Sequence, residues 1–290
     1  MEVGQILLPI LFMSALGLTL SAVLSLANRR LYVFEDPEID TVAQMLPGTN
    51  CGACGEPGCR AFAQALIKHS KAPNQCTVSS ELQATSIADY LGVGLADVEK
   101  QVARLACAGG RHVARQLTHY TEEASCRSAA LVAGGGKSCS WGCLGLGDCA
   151  SHCEFGAISM NEFSLPVVDV DRCTACGDCV EVCPKDLFEL VPLSRHLWVA
   201  CKNLLADEAA SAECEVACTG CGLCAADAPG LITIVQNLAR VDPALIAREN
   251  PVAIERCPTG AIVWLEKSKI QKGYRAKKIL RKKPLPAANL

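Results

Sequence analysis

One stretch, Cys173-Thr-Ala-Cys176-Gly-Asp-Cys179-Val-Glu-Val-Cys183-Pro184, limits what this chain can become more than any other feature. Cysteines at Cys-x2-Cys-x2-Cys-x3-Cys-Pro spacing form the bacterial iron–sulfur run. Three sulfurs on the tight loop surround one cubane cluster, and the fourth, turned away at the proline, ligates a second. A partner run is therefore required. It lies upstream as Cys139-x3-Cys143-x5-Cys149-x3-Cys153, with Glu154 where proline is usual. Crossed pairing then assigns Cys139, Cys143, Cys149 and Cys183 to one cluster (site II) and Cys173, Cys176, Cys179 and Cys153 to another (site III). Zinc sites are sets of paired Cys-x2-4-Cys or Cys/His ligands, which two interleaved runs ending in Cys-Pro fit poorly.

Twenty cysteines in 290 residues would suggest disulfides in a secreted chain. Here the Cys-x2-Cys runs and the lack of a cleavable signal point to thiolates holding metal in a reducing compartment. Aromatic residues make up only 4%, so the clusters are expected to staple domains with small cores. The length leaves room for two or three such domains.

Ile6 to Ala27 is 22 residues without a charge, about 33 Å as a helix against a bilayer core of roughly 30 Å. We read it as one transmembrane helix. Arg29 and Arg30 follow it, so the N-terminus is expected outside and the rest on the cytoplasmic side of a bacterial inner membrane. Gly17, Ser21 and Ser25 recur every four residues, a small-residue face that suits a second membrane helix or lipid equally.

Past an acidic linker (29–40), Cys51-x2-Cys54-x4-Cys59-x16-Cys76 reads as a further cluster (site I), with a zinc knuckle as the other possibility. Glu81 to Leu105 is expected to be mainly helical. Cys107 and Cys126 show no ligand spacing and read as buried structural thiols. Gly134-Gly-Gly136 marks a hinge into the ferredoxin-like part.

Short β-rich pieces follow the cysteine runs at Phe155, Asp186, Leu231 and Gly260, a fourfold internal repeat. The third repeat holds Cys218-x2-Cys221-x2-Cys224 but has Ala228-Pro229 in place of its fourth cysteine. The last keeps only Cys257-Pro258, and its other ligand positions fall on Ala247, Asn250 and Ala253. By the crossed wiring those defects remove one cluster as a unit and leave Cys218, Cys221, Cys224 and Cys257 as site IV. Four sites leave Cys107, Cys126, Cys201 and Cys214 over, and Cys214 could substitute in site IV under other wiring.

The charge is divided. From Lys267 on there are nine Lys and Arg and no acid, which leaves eighteen basic against thirty acidic residues before it, a body of −12. The tail reads either as a solvated run or as a contact for anionic lipid or an acidic partner. The five histidines are scattered, and no feature points to nucleic acid. No catalytic acid–base pair, nucleophile, dinucleotide-binding glycine loop or flavin site is recognisable, which leaves one-electron transfer as the expected chemistry.

The expected fold is α+β: an anchor (1–28), the linker, a small helical [4Fe-4S] domain with a helical extension (41–133), and tandem ferredoxin-like repeats with two clusters (134–200) and one (201–266), then the basic tail (267–290). The uncleaved apolar helix, the CGACGEPGC motif with late Cys76, CSWGCLGLGDC and CTACGDCVEVCP together resemble the RnfB family, the B subunits of the Rnf ion-translocating electron-transport complex, over nearly the whole chain. That resemblance implies a membrane complex exchanging electrons between ferredoxin and NAD while moving Na+ or H+. This chain would be its cytoplasmic iron–sulfur subunit, with three or four [4Fe-4S] clusters and the other Rnf subunits, ferredoxin and the bilayer as partners. The missing cluster of the last repeats departs from the pattern. A membrane-anchored polyferredoxin serving a hydrogenase or formate dehydrogenase, and a non-redox zinc scaffold, are the competing classes.

Overall fold

The computed structural model describes residues 3–31, 36–118, 125–267 and 269–285. Helix α1 (Val3–Leu31) is a single apolar rod with Arg29 and Arg30 in its last turn, where cations complement the helix dipole. Its segment Ile10–Leu31 has a mean hydropathy of 2.1, and none of it is covered by the rest of the protein. Leu11, Phe12 and Leu18 stand more than 60% exposed, a state that water does not favour and a bilayer does.

Part of the segment expected as linker is helical: α2 (Pro37–Met45) starts with proline at its first position and Asp36 accepting from the Glu38 N–H at 3.0 Å. It packs on α3 (Cys59–Ile67) and α4 (Glu81–Leu91) through Val42, Phe62, Leu66 and Ile87. Each of these is almost fully buried and contributes about 1.5–3 kcal/mol. The helix expected over Glu81–Leu105 ends at Leu91, where Gly92 adopts a left-handed cap. After it, β1 (Gln101–Leu105) leaves this unit and pairs antiparallel with a strand almost ninety residues away. Local composition does not encode a pairing of that range.

Two units of like wiring follow. In the first, beyond α5 (Cys126–Leu131) and α6 (Asp148–Ser151), β2 (Ile158–Met160) and β3 (Pro166–Val168) make a hairpin. After α7 (Asp178–Glu181), β4 (Phe188–Pro192) closes on β1 with Ala103 opposite Leu190. In the second, β5 (Leu197–Val199), α8 (Asp207–Glu213) and α9 (Leu223–Asp227) precede the hairpin of β6 (Ile232–Val235) and β7 (Leu238–Val241). Past α10 (Val252–Glu255), β8 (Ile262–Glu266) closes on β5, and β9 (Lys269–Gln271) adds a third strand. First strand on last, hairpin between: the pattern occurs twice. Each unit has its own core, around Val102, Val170 and Phe188 and around Leu197, Ile232 and Ile262. A smaller cluster of Ala106, Val191, Trp198, Val263 and Leu265 seals the seam. There the Trp198 indole N–H donates to the Leu105 carbonyl at 2.9 Å.

Most side chains of the basic tail are exposed, but its backbone is tied to the body at several points as far as Leu285. Backbone N–H groups of Arg275, Lys277 and Leu285 donate to carbonyls of Glu255, Pro258 and Arg111 at 2.9–3.2 Å. Arg281 donates to the His112 carbonyl at 3.0 Å, and Lys277 and Arg281 both pair with Glu215. Burial alone would raise the Glu215 carboxyl, but the Lys277 hydrogen bond and the two cationic charges hold it below its ordinary range. Gly273 makes the docking possible, since a Cβ there would stand 2.0 Å from the Ile254 carbonyl oxygen. Gly273→Ala should therefore lift the tail: amide exchange at Lys277 rises at least tenfold while the sheet amides of β5 and β8 keep their protection. Unchanged exchange at Lys277 would contradict this packing.

Candidate metal centres

All twenty cysteines are free of disulfides, and most converge in sets on cavities. At site I, Cys59 opens α3 and its N–H donates to Asn50 Oδ1 at 2.8 Å. Cys76 follows a 3-10 turn at Pro73–Gln75, and Cys54, Cys59 and Cys76 pack on the same core. Cys51, Cys54 and Cys76 are near enough that the charges of Cys76 and Cys51 raise the Cys54 thiol, behind burial as the main cause.

Cys153, Cys173, Cys176 and Cys179 line one cavity of ≈ 330 Å³, the four thiols expected at site III. Cys218, Cys221, Cys224 and Cys257 line another of ≈ 360 Å³, those expected at site IV. Of the four positions expected for the missing cluster, Ala253 is buried and Ala228 leans on the second core, while Ala247 and Asn250 are exposed. Beside them Arg256 clamps Asp227 through its Nε at 2.8 Å and 3.0 Å.

A common device aims the third sulfur of each run. Gly147, Gly177 and Gly222 all have positive φ and begin α6, α7 and α9. Only glycine takes that turn without strain. The cysteine two residues on, Cys149, Cys179 or Cys224, is thereby buried in the first turn.

Site II is regrouped. Cys143, Cys149 and Cys183 line a cavity of ≈ 370 Å³, but the fourth thiol there is Cys126, not Cys139. Cys126 is fixed by the buried carboxylate of Asp148, which accepts from the Cys126 and Arg127 N–H groups at 2.8 Å and 3.1 Å. Cys139 instead lines a separate cavity with Cys107, Cys201 and Cys214. The cause is the chain's path: the loop after Lys137 turns Cys139 to the seam between the units, while Gly142 and Cys143 carry it back. Lys137 is itself buried and holds this turn by donating to the Gly109 and Cys143 carbonyls. So all four left-over cysteines sit in thiol-lined cavities. Their spacings, tens of residues long, hide this. The one local signal is a likeness between the units, since Leu105-Ala-Cys107 and Val199-Ala-Cys201 both place a cysteine just beyond the first strand.

These thiols are poor nucleophiles. Burial, reinforced at most of these sites by neighbouring thiols, pushes Cys149, Cys179, Cys214 and Cys224 up to about 12. Cys176 is pushed up to about 11 by burial, with the Asp178 carboxylate adding to the rise and the Asp178 N–H opposing it. Reactive cysteines are shifted the other way, and bound metal ions are what deprotonate such groups. The sulfurs also stand around cavities and do not meet at a point. Among the described residues no three His, Cys, Asp or Glu side chains sit together as a single-ion site. Backbone N–H groups point at the sulfurs: Ala103 at Cys173 (3.5 Å), Ala157 at Cys153 (3.3 Å) and Leu187 at Cys183 (3.5 Å). Such bonds tune cluster potentials.

Comparison with known proteins agrees with this chemistry. Residues 46–78 match a family described as "Putative Fe-S cluster", and residues 138–187 a family described as "4Fe-4S dicluster domain". The chain is 37% identical over 260 residues to the B subunit of the Na(+)-translocating ferredoxin:NAD(+) oxidoreductase complex of Acetobacterium woodii, covering 89% of this chain and 78% of that one. It is 36% identical over 262 residues to the B subunit of the proton-translocating ferredoxin:NAD(+) oxidoreductase complex of Clostridium ljungdahlii, covering 89% and 92%. It is 35% identical over 231 residues to the B subunit of the ion-translocating oxidoreductase complex of Methanosarcina acetivorans, covering 79% and 88%.

Proposed function

This chain belongs to the family of B subunits of the ion-translocating ferredoxin:NAD(+) oxidoreductase complexes, and we infer that it is the membrane-anchored iron–sulfur relay of such a complex. The observation that carries this is the convergence of sequence-distant thiols on separate cavities in two units that each pair their first strand with a late one around a hairpin. Cys51, Cys54, Cys59 and Cys76 hold site I, and Cys126, Cys143, Cys149 and Cys183 hold site II. Cys153, Cys173, Cys176 and Cys179 hold site III, and Cys218, Cys221, Cys224 and Cys257 hold site IV. A [4Fe-4S] cluster supplies one-electron transfer without bond making, at a potential set by hydrogen bonds to sulfur, burial and nearby charge.

The residues do the rest. The glycine-started helices orient the sulfurs, and the strands and their flanking loops supply N–H donors to them. The two units are tandem ferredoxin-like repeats, with one site lost from the second. Helix α1 anchors the chain with its cluster domains on the cytoplasmic face, and NAD chemistry and Na+ or H+ movement belong to the other subunits. An electron-donating ferredoxin docks on the protein by charge. Service to a hydrogenase or formate dehydrogenase is not favoured by these relatives.

Iron and acid-labile sulfide on anaerobically purified protein test this reading, with EPR after reduction. At least about 16 iron per chain is expected from four sites of four. Reduction by ferredoxin should slow severalfold between about 0.05 and 0.5 M salt as charges are screened. Colourless protein containing zinc would overturn the electron-transfer reading, and a salt-independent rate would overturn docking by charge.

A further inference from the structure

A fifth set of four thiols lies outside these sites. Cys107, Cys139, Cys201 and Cys214 line one cavity on the seam between the two units, as Cys153, Cys173, Cys176 and Cys179 line that of site III. Two of the four come from like places in the two units, Cys107 just past β1 and Cys201 just past β5. Each accepts from the N–H two residues on, Gly109 and Asn203, at 3.4 Å. Cys214 caps the end of α8. Cys139 accepts from the Nδ2 of Asn203 at 3.6 Å, and Asn203 is only 1% exposed. A buried amide aimed at a sulfur, with a buried lysine in the same wall, is the surrounding expected of a charged inorganic group, not of four idle thiols.

We propose that this tetrad holds a fifth [4Fe-4S] cluster and that it is the link between the units, passing electrons between site II and site IV. Two hydrogen bonds give it that place. The N–H of Cys143, a site II thiol, donates to Cys107 Sγ at 3.4 Å. The N–H of Cys218, a site IV thiol, donates to Cys201 Sγ at 3.3 Å. Each neighbouring site thus touches this one through a single ligand-to-ligand bond. In each transfer one site loses one electron and the next gains it, the first being supplied by a one-electron donor such as reduced ferredoxin. No bond to sulfur is made or broken, and no proton moves.

This inference rests on the electron-transfer reading but fails separately from it. The experiment uses the full-length protein, purified anaerobically, beside Cys201→Ser and Cys214→Ser. About 20 iron and 20 sulfide are expected in the natural protein and about 16 in each variant. The magnetic coupling that this cluster adds to the EPR signals of its neighbours should be lost in both variants. Electron equilibration between sites II and IV, followed after rapid partial reduction, should slow at least tenfold. About 16 iron in the natural protein, unchanged in both variants, would overturn the fifth cluster and leave the four-site relay standing. The same iron count with one equivalent of zinc would do so too. Absence of iron would instead overturn the relay itself. Should neither variant fold, the iron count of the natural protein, about 20 or about 16, still decides.

Discussion

Lys137→Met should lower the reduction potentials of the clusters on both sides of the seam, and cost the fold more than any surface change. The ammonium is buried, yet its two protein acceptors are neutral carbonyls, those of Gly109 and Cys143. A buried cation without a carboxylate partner is expensive. Its charge is offset only if negative groups lie close, and Cys139, Cys143 and Cys214 all feel it. Methionine keeps most of the stem volume but strands both carbonyls. At about 1.5–3 kcal/mol for each of the two hydrogen bonds from a charged group, a loss of roughly 3–6 kcal/mol is expected, read as a fall in the denaturant midpoint.

The electrical effect has a definite sign. Reduction adds negative charge, which a nearby cation favours, so its removal makes reduction harder. At an effective dielectric of about 20 and separations of roughly 8–16 Å, a unit charge is worth about 1–2 kcal/mol. For a one-electron couple that is roughly 40–90 mV. EPR-monitored titration should therefore show one or two couples moved down by that amount, with the couples of sites I and III in place. Destabilisation without any change of potential would mean that Lys137 only holds the loop.

How far the sequence could be read follows from where each site's ligands lie. Cys173, Cys176 and Cys179 are on one loop, so their spacing alone groups them. The set of Cys218, Cys221, Cys224 and Cys257 is also readable, because the lost cysteine at Ala228 and the retained Cys257 make sense only with crossed wiring. The seam is different. Cys107 and Cys201 meet because β1 pairs with β4, β5 pairs with β8, and Trp198 locks the two sheets together. No window of sequence contains that geometry. Local spacing also misled: Cys139 and Cys143 are four apart and suggest one site, but the turn held by Lys137 sends their sulfurs to different cavities. The tail misled for a like reason. Nine cations without an acid read either as a solvated run or as a contact for anionic lipid or an acidic partner, while the anion that receives two of them, Glu215, lies some sixty residues upstream in the same chain.

Cys126→Ser, set beside Cys139→Ser, should therefore remove a different cluster from the same protein. Cys126 stands at the start of α5, where Asp148 takes the first two N–H groups of the helix. The fixed helix end places the thiol in the cavity with Cys143, Cys149 and Cys183. If these four act as one ligand set, Cys126→Ser and Cys183→Ser lose the same cluster. The double variant then loses no more iron than either single one, about four per chain, because ligands of one set are not additive. Cys126→Ser with Cys139→Ser should instead lose about eight, since those two serve separate cavities. Asp148→Asn gives an independent check, as the amide accepts one of the two N–H bonds but brings donors against the other. Site II should then lose iron faster under chelation, while site III, whose lining runs unbroken from Cys173 to Cys179, keeps its own. Were Cys126→Ser to keep full iron while Cys139→Ser removed the cluster shared with Cys183, the pairing expected from spacing would hold and the regrouping would be wrong. The iron counts separate the two wirings, because they differ at Cys126 and Cys139 and nowhere else among the ligands of site II.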